Sequence, residues 1–210
     1  MRTKKISIFL SSLLAAAWLA APLAHAADEE PKQVVEQITG QVIKVLSDKS
    51  ASTESKRASV QKIVYEWVDF DTMSKLVLAK NWAQLSDAQK EEFVEQFRQH
   101  LSNTYGKNVD SYRDEKVNIL EARDEARGDV TVKTAIDRGG ANDILVDYRL
   151  RKVSGQWKII DVVIERVSLV SNFRSQFQEV IAQGGVDRLL SMLKEKNAKG
   201  EGAKTAPQAS

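Results

Sequence analysis

From residue 31 to residue 105 the apolar positions recur every three or four residues; from 117 to 165 they gather into short β-branched runs divided by turns. In EPKQVVEQITGQVIKVL, Pro31 stands near a helix start, and Val35, Ile38, Val42 and Val45 follow at helical spacing. The polar run DKSASTES (48–55) leads to a second helix carrying Val60, Ile63, Val64 and Trp67. VDFDTM interrupts it, with Asp69 or Asp71 as the N-cap of a third helix that presents Met73, Leu76 and Val77 on one face. SDAQ (86–89) fits a capping box and opens a fourth helix with the stripe Phe93, Phe97, Leu101 and Tyr105, stopped at Gly106.

The period then changes to that of strands, predicted over 117–123, 129–137, 142–153 and 156–165, with DEARG, RGGAND and SG as the turns. Short connections make this an antiparallel meander. The last two strands are apolar at consecutive positions, ILV (144–146) and VVI (162–164), where a sheet with one wet face should alternate. The pattern therefore predicts apolar surroundings on both sides of them. Helical spacing returns with Phe173, Phe177 and Ile181 up to Gly184-Gly185, and again with Val186, Leu189, Leu190 and Leu193. The predicted fold class is α+β: N-terminal helices, a curved antiparallel sheet of about four strands, and C-terminal helices.

Both ends of the chain read differently from its middle. MRTKK, then ISIFLSSLLAAAWLAA, then AHA at 24–26 have the basic, apolar and small-residue parts of a secretory signal peptide. The expected organisation is a signal peptide over 1–26, one domain over 27–196, and a polar, disordered tail over 197–210. Cleavage would remove Arg2, Lys4 and Lys5 and no acid, so the 31 basic residues fall by three against 29 acidic ones. The mature chain is then close to neutral, and no basic patch points to nucleic acid. There is no cysteine, hence no disulfide and no thiol for a lipid anchor. With His25 gone only His100 remains, which excludes a multi-histidine metal site; in its helical setting it reads as a solvated or locally hydrogen-bonded histidine.

Catalytic signals are sparse. No Gly-rich phosphate loop, G-x-S-x-G or H-E-x-x-H is present. Asp69 and Asp71 read as helix caps. Asp161, a charge inside WKIIDVVI, would suit either a general base or an acceptor for loop N–H groups, and the second reading is adopted. No catalytic residue, metal or cofactor is assigned. A small cone-shaped α+β enzyme using Asp161 or Tyr148, and a periplasmic chaperone-like module with an apolar groove, stand as the alternatives.

Two stretches are more specific: LAKNWAQLSDAQKEEFVEQF, and the strand bearing Trp157 and Asp161 followed by SLVSNFRSQF and GGVDRLLSMLK. Across roughly residues 30–196 the chain resembles the MlaC family of periplasmic phospholipid-binding, or toluene-tolerance auxiliary, proteins; one departure is Arg166, where a glycine is expected. The resemblance implies a periplasmic, non-enzymatic carrier of a diacyl glycerophospholipid, monomeric by default. Such a carrier exchanges lipid with an inner-membrane ABC transporter complex and an outer-membrane lipoprotein–porin complex, maintaining outer-membrane lipid asymmetry. About thirty chain methylenes at roughly 0.8 kcal/mol each put the cost of exposing both chains to water near 25 kcal/mol. Both must be covered, and the resemblance implies an apolar cavity between sheet and helices for them, approaching about 1,000 Å³. The lining residues expected on this basis are, from the helices, Ile63, Val64, Trp67, Met73, Leu76, Phe93, Phe97, Leu101 and Phe173, and from the strands Val146, Tyr148, Ile160, Val162, Ile164 and Val167. Ser168, Ser171, Asn172 and Arg174 are expected at the rim.

Overall fold

The helix starts are set by side-chain caps. In the computed structural model, which describes residues 30–139 and 142–203, five helices follow the predicted order: α1 Pro31–Ser47, α2 Thr53–Trp67, α3 Phe70–Leu78, α4 Asp87–Tyr105 and α5 Leu169–Ala198. Ser52 Oγ accepts the Ser55 N–H at the head of α2. Asp69, of the two candidates, caps α3 by accepting from Thr72 N at 3.0 Å. Ser86 and Gln89 form the reciprocal capping box of α4, at 3.0 and 3.2 Å. The two C-terminal helices are one element interrupted at Gly184–Gly185, where Gly185 has φ 72°.

The sheet is an antiparallel meander of five strands in the order β1 (Lys116–Asp124), β2 (Val130–Asp137), β3 (Ile144–Val153), β4 (Gln156–Ile164) and β5 (Val167–Ser168). The fifth strand is a two-residue return that the apolar pattern does not mark. One face carries all the helices, in two clusters. Val130, Val132, Leu150 and Ile159 pack on Val34, Val35 and Ile38 of α1. Met73, Val77, Phe93, Phe97, Phe173 and Phe177 form the second cluster, against which Val162 and Ile164 rest.

The opposite face is exposed and mixed, with Leu120, Leu145 and Val163 beside Lys133 and Asp147, which corrects the expectation of apolar surroundings on both sides of β3 and β4. Along β3, Ile144 and Val146 are buried whereas Leu145 is 38% exposed. Lys133–Glu121 and Arg149–Asp161 pairs join neighbouring strands of that outer face. Of the consecutive apolar residues of β4, Val162, Val163 and Ile164 keep regular register, Val163 standing on the outer face opposite Asp147, whereas Ile159 and Ile160 mark a β-bulge. Leu150 pairs with Ile159 and Arg149 with Asp161, so Ile160 is an extra residue and the alternation changes step across it. Ile159, Val162 and Ile164 then share the helix-facing side although their numbering breaks the period of two.

Residues 197–203, read as the start of the tail, are placed against α4. Asn197 Nδ2 donates to Gln96 O at 2.8 Å, and the Ala203 N–H donates to Thr104 Oγ1 at 2.9 Å. A Cβ on Gly202 would lie 2.4 Å from Thr104 Cα, so only glycine fits there. The rest of the tail and the signal peptide assigned to 1–26 lie outside the described residues.

Arg166 stands in the turn between β4 and β5. Ile164 pairs with Val167, leaving a two-residue loop in which Glu165 has φ 47° and Arg166 φ 67°. Both central residues of a type I′ hairpin need positive φ, and the preceding hairpin meets this with Ser154-Gly155. Arg166→Gly should therefore stabilise the fold by up to about 1 kcal/mol, the left-handed penalty of a side chain less the extra entropy of glycine. A lower urea midpoint for this variant would mean that the arginine side chain contributes something the turn geometry does not require.

Candidate functional site: a cleft at the seam of two cores

The two hydrophobic clusters do not merge completely. Val68 and Val162 touch both, and above them lies a cleft of about 520 Å³. One wall is α2, which presents Val60, Gln61 and Val64 and, nearer its N-terminus, Glu54 and Arg57. The facing wall is α4, with Arg98, Leu101, Ser102 and Tyr105 at i, i+3, i+4 and i+7. Phe70, Met73 and Leu169 close the apolar end, while Lys107, Val109 and Gly200 stand at the other side of the mouth.

The walls are held apart and aligned by polar contacts. Tyr65 Oη and Ser102 Oγ are 2.9 Å apart, and the Arg98 guanidinium lies over the Tyr65 ring at 4.4 Å. Arg57 pairs with Asp110, and Lys56 Nζ donates to Leu46 O at 2.6 Å. These contacts tie α2 down at its polar positions, because none of its residues is fully buried. Tyr105, Arg98 and Val64 thus hold a surface position on one helix or the other although they sit inside the molecule's outline. Burial pushes the ionisation of the Tyr105 phenol above the ordinary tyrosine range, so it stays a neutral donor.

The expected lining residues do not stay together. Val64, Met73, Leu101 and Val162 come together in the cleft. Phe93, Phe97 and Phe173 are solid core: the Phe97 ring lies 5.6 Å from Phe93 and 5.3 Å from Phe173, and all three are fully buried. Ile160 sits buried in the bulge, and Val146 is buried under the sheet's helical cover. Ile63, Trp67 and Tyr148 pack toward α1, and burial raises the Tyr148 pKa to about 12. Leu76 and Ile164 rest on the second cluster, and Val167 is 42% exposed on β5. Val60, Val68 and Tyr105 were not among the expected set; Val60 and Val68 are one turn either side of Val64, and that spacing was the available signal.

The residues expected at the rim do not border this cleft. Ser168 is the N-cap of α5, accepting from Ser171 N at 3.1 Å. Arg174 donates from Nε and Nη2 to the Leu76 carbonyl at 3.0 and 2.6 Å, clamping α5 to the end of α3. None of Ser168, Ser171, Asn172 and Arg174 lines the cleft.

Asp161 is an acceptor, in keeping with the adopted reading. It accepts from Ser168 Oγ at 2.6 Å and from the Val170 N–H at 3.1 Å, with Arg149 Nη1 at 3.8 Å. Burial raises its pKa, and the Ser168 and Val170 hydrogen bonds pull the other way. It thereby fixes the first turn of α5, where Leu169 enters the cleft. His100 is not solvated: it is 2% exposed, and burial lowers its pKa to about 4.

Comparison with known proteins follows the same outline as the fold. The model of the MlaC protein family matches residues 36–195. The chain belongs to the MlaC family. Toluene tolerance protein ttg2D of Pseudomonas putida is 26% identical over 176 residues, 79% of this chain and 80% of its own. The intermembrane phospholipid transport system binding protein MlaC of Haemophilus influenzae is 22% identical over 143 residues, covering 66% of this chain and 67% of that one. The solved structure of a phospholipid-binding protein from Ralstonia solanacearum, in complex with a phospholipid, superposes with a TM-score of 0.74 at 23% identity. That match covers 82% of this chain and 99% of the other. The shared fold is α+β, helices on one face of an open antiparallel sheet. Among the described residues no helix of this MlaC family member is long and apolar enough to cross a membrane.

Two outcomes follow from the buried polar groups. Asp161→Asn keeps the shape but replaces one acceptor by an NH₂ donor facing donors, so it should destabilise the fold by about 1–3 kcal/mol in urea unfolding; an unchanged midpoint would show that the α5 start holds without it. For His100 the folded pKa lies below the unfolded 6.5, so the unfolded chain binds more protons between pH 6.5 and about 4. The stability of the wild type relative to His100→Gln should be full above pH 6.5, decline as pH falls through that window and level off below it. A difference that stays flat from pH 7 to 4 would mean that His100 charges freely in the folded state.

Proposed function

We propose that this chain is a periplasmic phospholipid carrier that buries acyl chains in the cleft between α2 and α4. The observation that carries the reading is the apolar seam itself, floored by Val68 and Val162 and walled by Val64 and Leu101, in a chain of the MlaC family. The Ralstonia solanacearum relative of the same fold is described in complex with a phospholipid, and the Haemophilus influenzae relative as the binding protein of an intermembrane phospholipid transport system. The carrier would receive and deliver its lipid at an inner-membrane ABC transporter complex and an outer-membrane lipoprotein–porin complex, without chemistry of its own.

The size of the cleft shapes the mechanism. Its 520 Å³ is about half the volume reasoned for two acyl chains. Widening must come from the wall that costs least to move. The α3, α4 and α5 side is packed through Met73 and Val77 and the rings of Phe93, Phe97, Phe173 and Phe177, whereas α2 has no fully buried residue and leaves Val64 36% exposed. On the cleft side α2 is held by the Tyr65–Ser102 and Arg57–Asp110 contacts and by the edge of Tyr65 on Phe70, while Ile63 and Trp67 on its other side pack toward α1. A wall held by such contacts can yield to a second chain and return when the lipid leaves.

Native mass spectrometry of the protein purified from periplasm without detergent tests the reading. Phospholipid of mixed head groups, close to one per chain, is expected. Val64→Asp, a charge on the cleft wall at an already half-exposed position, should fold normally and lose at least about tenfold of the bound lipid, since one buried carboxylate outweighs several methylene contacts. A wild-type chain without lipid after incubation with liposomes, or a Val64→Asp variant as fully loaded as the wild type, would overturn it.

A further inference from the structure

The cleft has room for one acyl chain before anything moves. Its 520 Å³ is about one chain's share of the roughly 1,000 Å³ reasoned for a pair. Its apolar lining includes Val64 of α2, Val68 and Val162 beneath, and Phe70, Met73 and Leu169 at the closed end. At the mouth stand charges of both signs, Glu54, Arg57 and Lys107, which favour no single head group.

Two side-chain bridges set the width. Arg57 of α2 pairs with Asp110, which lies in the turn Gly106–Ser111 directly after α4. Tyr65 Oη meets Ser102 Oγ of α4 at 2.9 Å. On α2 the bridges stand at either end of the run that contributes Val60, Gln61 and Val64, about 12 Å apart along the helix. Room for a second chain requires α2 to move away from α4. That movement parts these bridges and disturbs both the Tyr65 edge on Phe70 and the packing of Ile63 and Trp67 toward α1. A single chain requires none of it.

We propose that this protein also takes single-chain lipids, a lysophospholipid or a fatty acid, in the closed cleft with α2 in place, and that a diacyl lipid is held only with α2 displaced. This rests on the carrier reading and divides the cargo into two classes by the position of one helix. Addition of water across one ester of a glycerophospholipid releases one lysophospholipid and one fatty acid. The class of reaction that supplies these ligands is therefore deacylation of the lipids the carrier moves.

The test ties α2 in place. The chain has no cysteine, so thiols introduced by Arg57→Cys and Asp110→Cys are its only ones, at side chains 43% and 42% exposed. A bismaleimide as long as the Arg–Asp pair it replaces then joins them in the folded, delipidated protein. Linked protein, the unlinked double variant and wild type are each offered oleoyl lysophosphatidylglycerol, oleate and dioleoyl phosphatidylglycerol in separate micelle arms, and the bound species are read by native mass spectrometry. The wild type should take one lysolipid or oleate per chain, and uptake of the lysolipid alone narrows the class to lysophospholipids. The linked chain should keep its single-chain ligand and lose at least about tenfold of the diacyl lipid, since about two methylenes left in water already cost that factor. In the wild type, hydrogen exchange at the α2 amides should stay unchanged or slow with the lysolipid and quicken with the diacyl lipid. A wild type that takes the diacyl lipid alone, a linked chain that takes both classes or neither, or α2 amides that quicken equally with both lipids overturns the inference while the carrier reading stands. A wild type that takes up none of the three overturns both.

Discussion

The molecule turns on the change of step in β4 at Ile160. A regular strand there would send Ile159 and Val162 to opposite faces. The bulge sends both to the helical side, where Ile159 meets α1 and Val162 reaches both clusters. The same shift brings Asp161 within reach of the Ser168 hydroxyl and the Val170 N–H. One extra residue therefore supplies the floor of the cleft and the anchor of α5 together. The neighbouring edge of β4 is closed by the α2–α3 junction, where Val68 bridges Ile159 and the Asp69 N–H donates to its carbonyl at 2.9 Å. Val68 and Val162, the two floor residues, are thus fixed by backbone pairing, not by side-chain packing alone.

That arrangement accounts for a cleft in an otherwise well-filled protein. A sheet of five strands is wider than one helix layer can cover continuously. Here α1 lies over β1 to β3, and α3 and α5 over the remainder, with α2 laid across the join. The join would close if α2 carried a full apolar face. Instead its inner residues alternate between Val60 and Val64 and the polar Arg57 and Gln61, and it is held by ionic and hydroxyl contacts. Apolar area left open in water at roughly 25 cal/mol per Å² is tolerated only where something else is gained.

Much of this was legible in the chain. Caps at Ser86–Gln89 and Asp69, the meander and its turns, and the breaking glycines at 184–185 all rest on local chemistry, which a sequence carries explicitly. The bulge was not legible, because Ile159 and Ile160 fit a strand in either register. VVI read as a strand with two apolar faces, and Val163 does stand on the outer face, opposite Asp147. Phe93, Phe97 and Phe173 read equally well as wall or core, since both demand large apolar side chains; only the ring-to-ring packing places them in the core. Arg174 looked like a rim residue by its position after the strand, and a carbonyl contributed by α3, 98 residues away, holds it elsewhere.

Helix α4 shows how one amphipathic element can serve three surfaces. Phe93, Phe97, His100 and Thr104 form its core-facing line, and burial keeps His100 neutral there. Turned by about 100°, the next line is Arg98, Leu101, Ser102 and Tyr105, facing the cleft. The last turn of the core-facing line is covered by residues 199–203, with Gly202 against Thr104 and Gly200 at the cleft mouth. The packed line fixes the backbone of its neighbour: Phe97 and His100 cannot shift without opening the phenylalanine cluster, whereas the Arg98 guanidinium rests on Tyr65 and is positioned by α2 as well as α4. The cleft therefore has one wall held by packed rings and one tied on its cleft side by polar contacts.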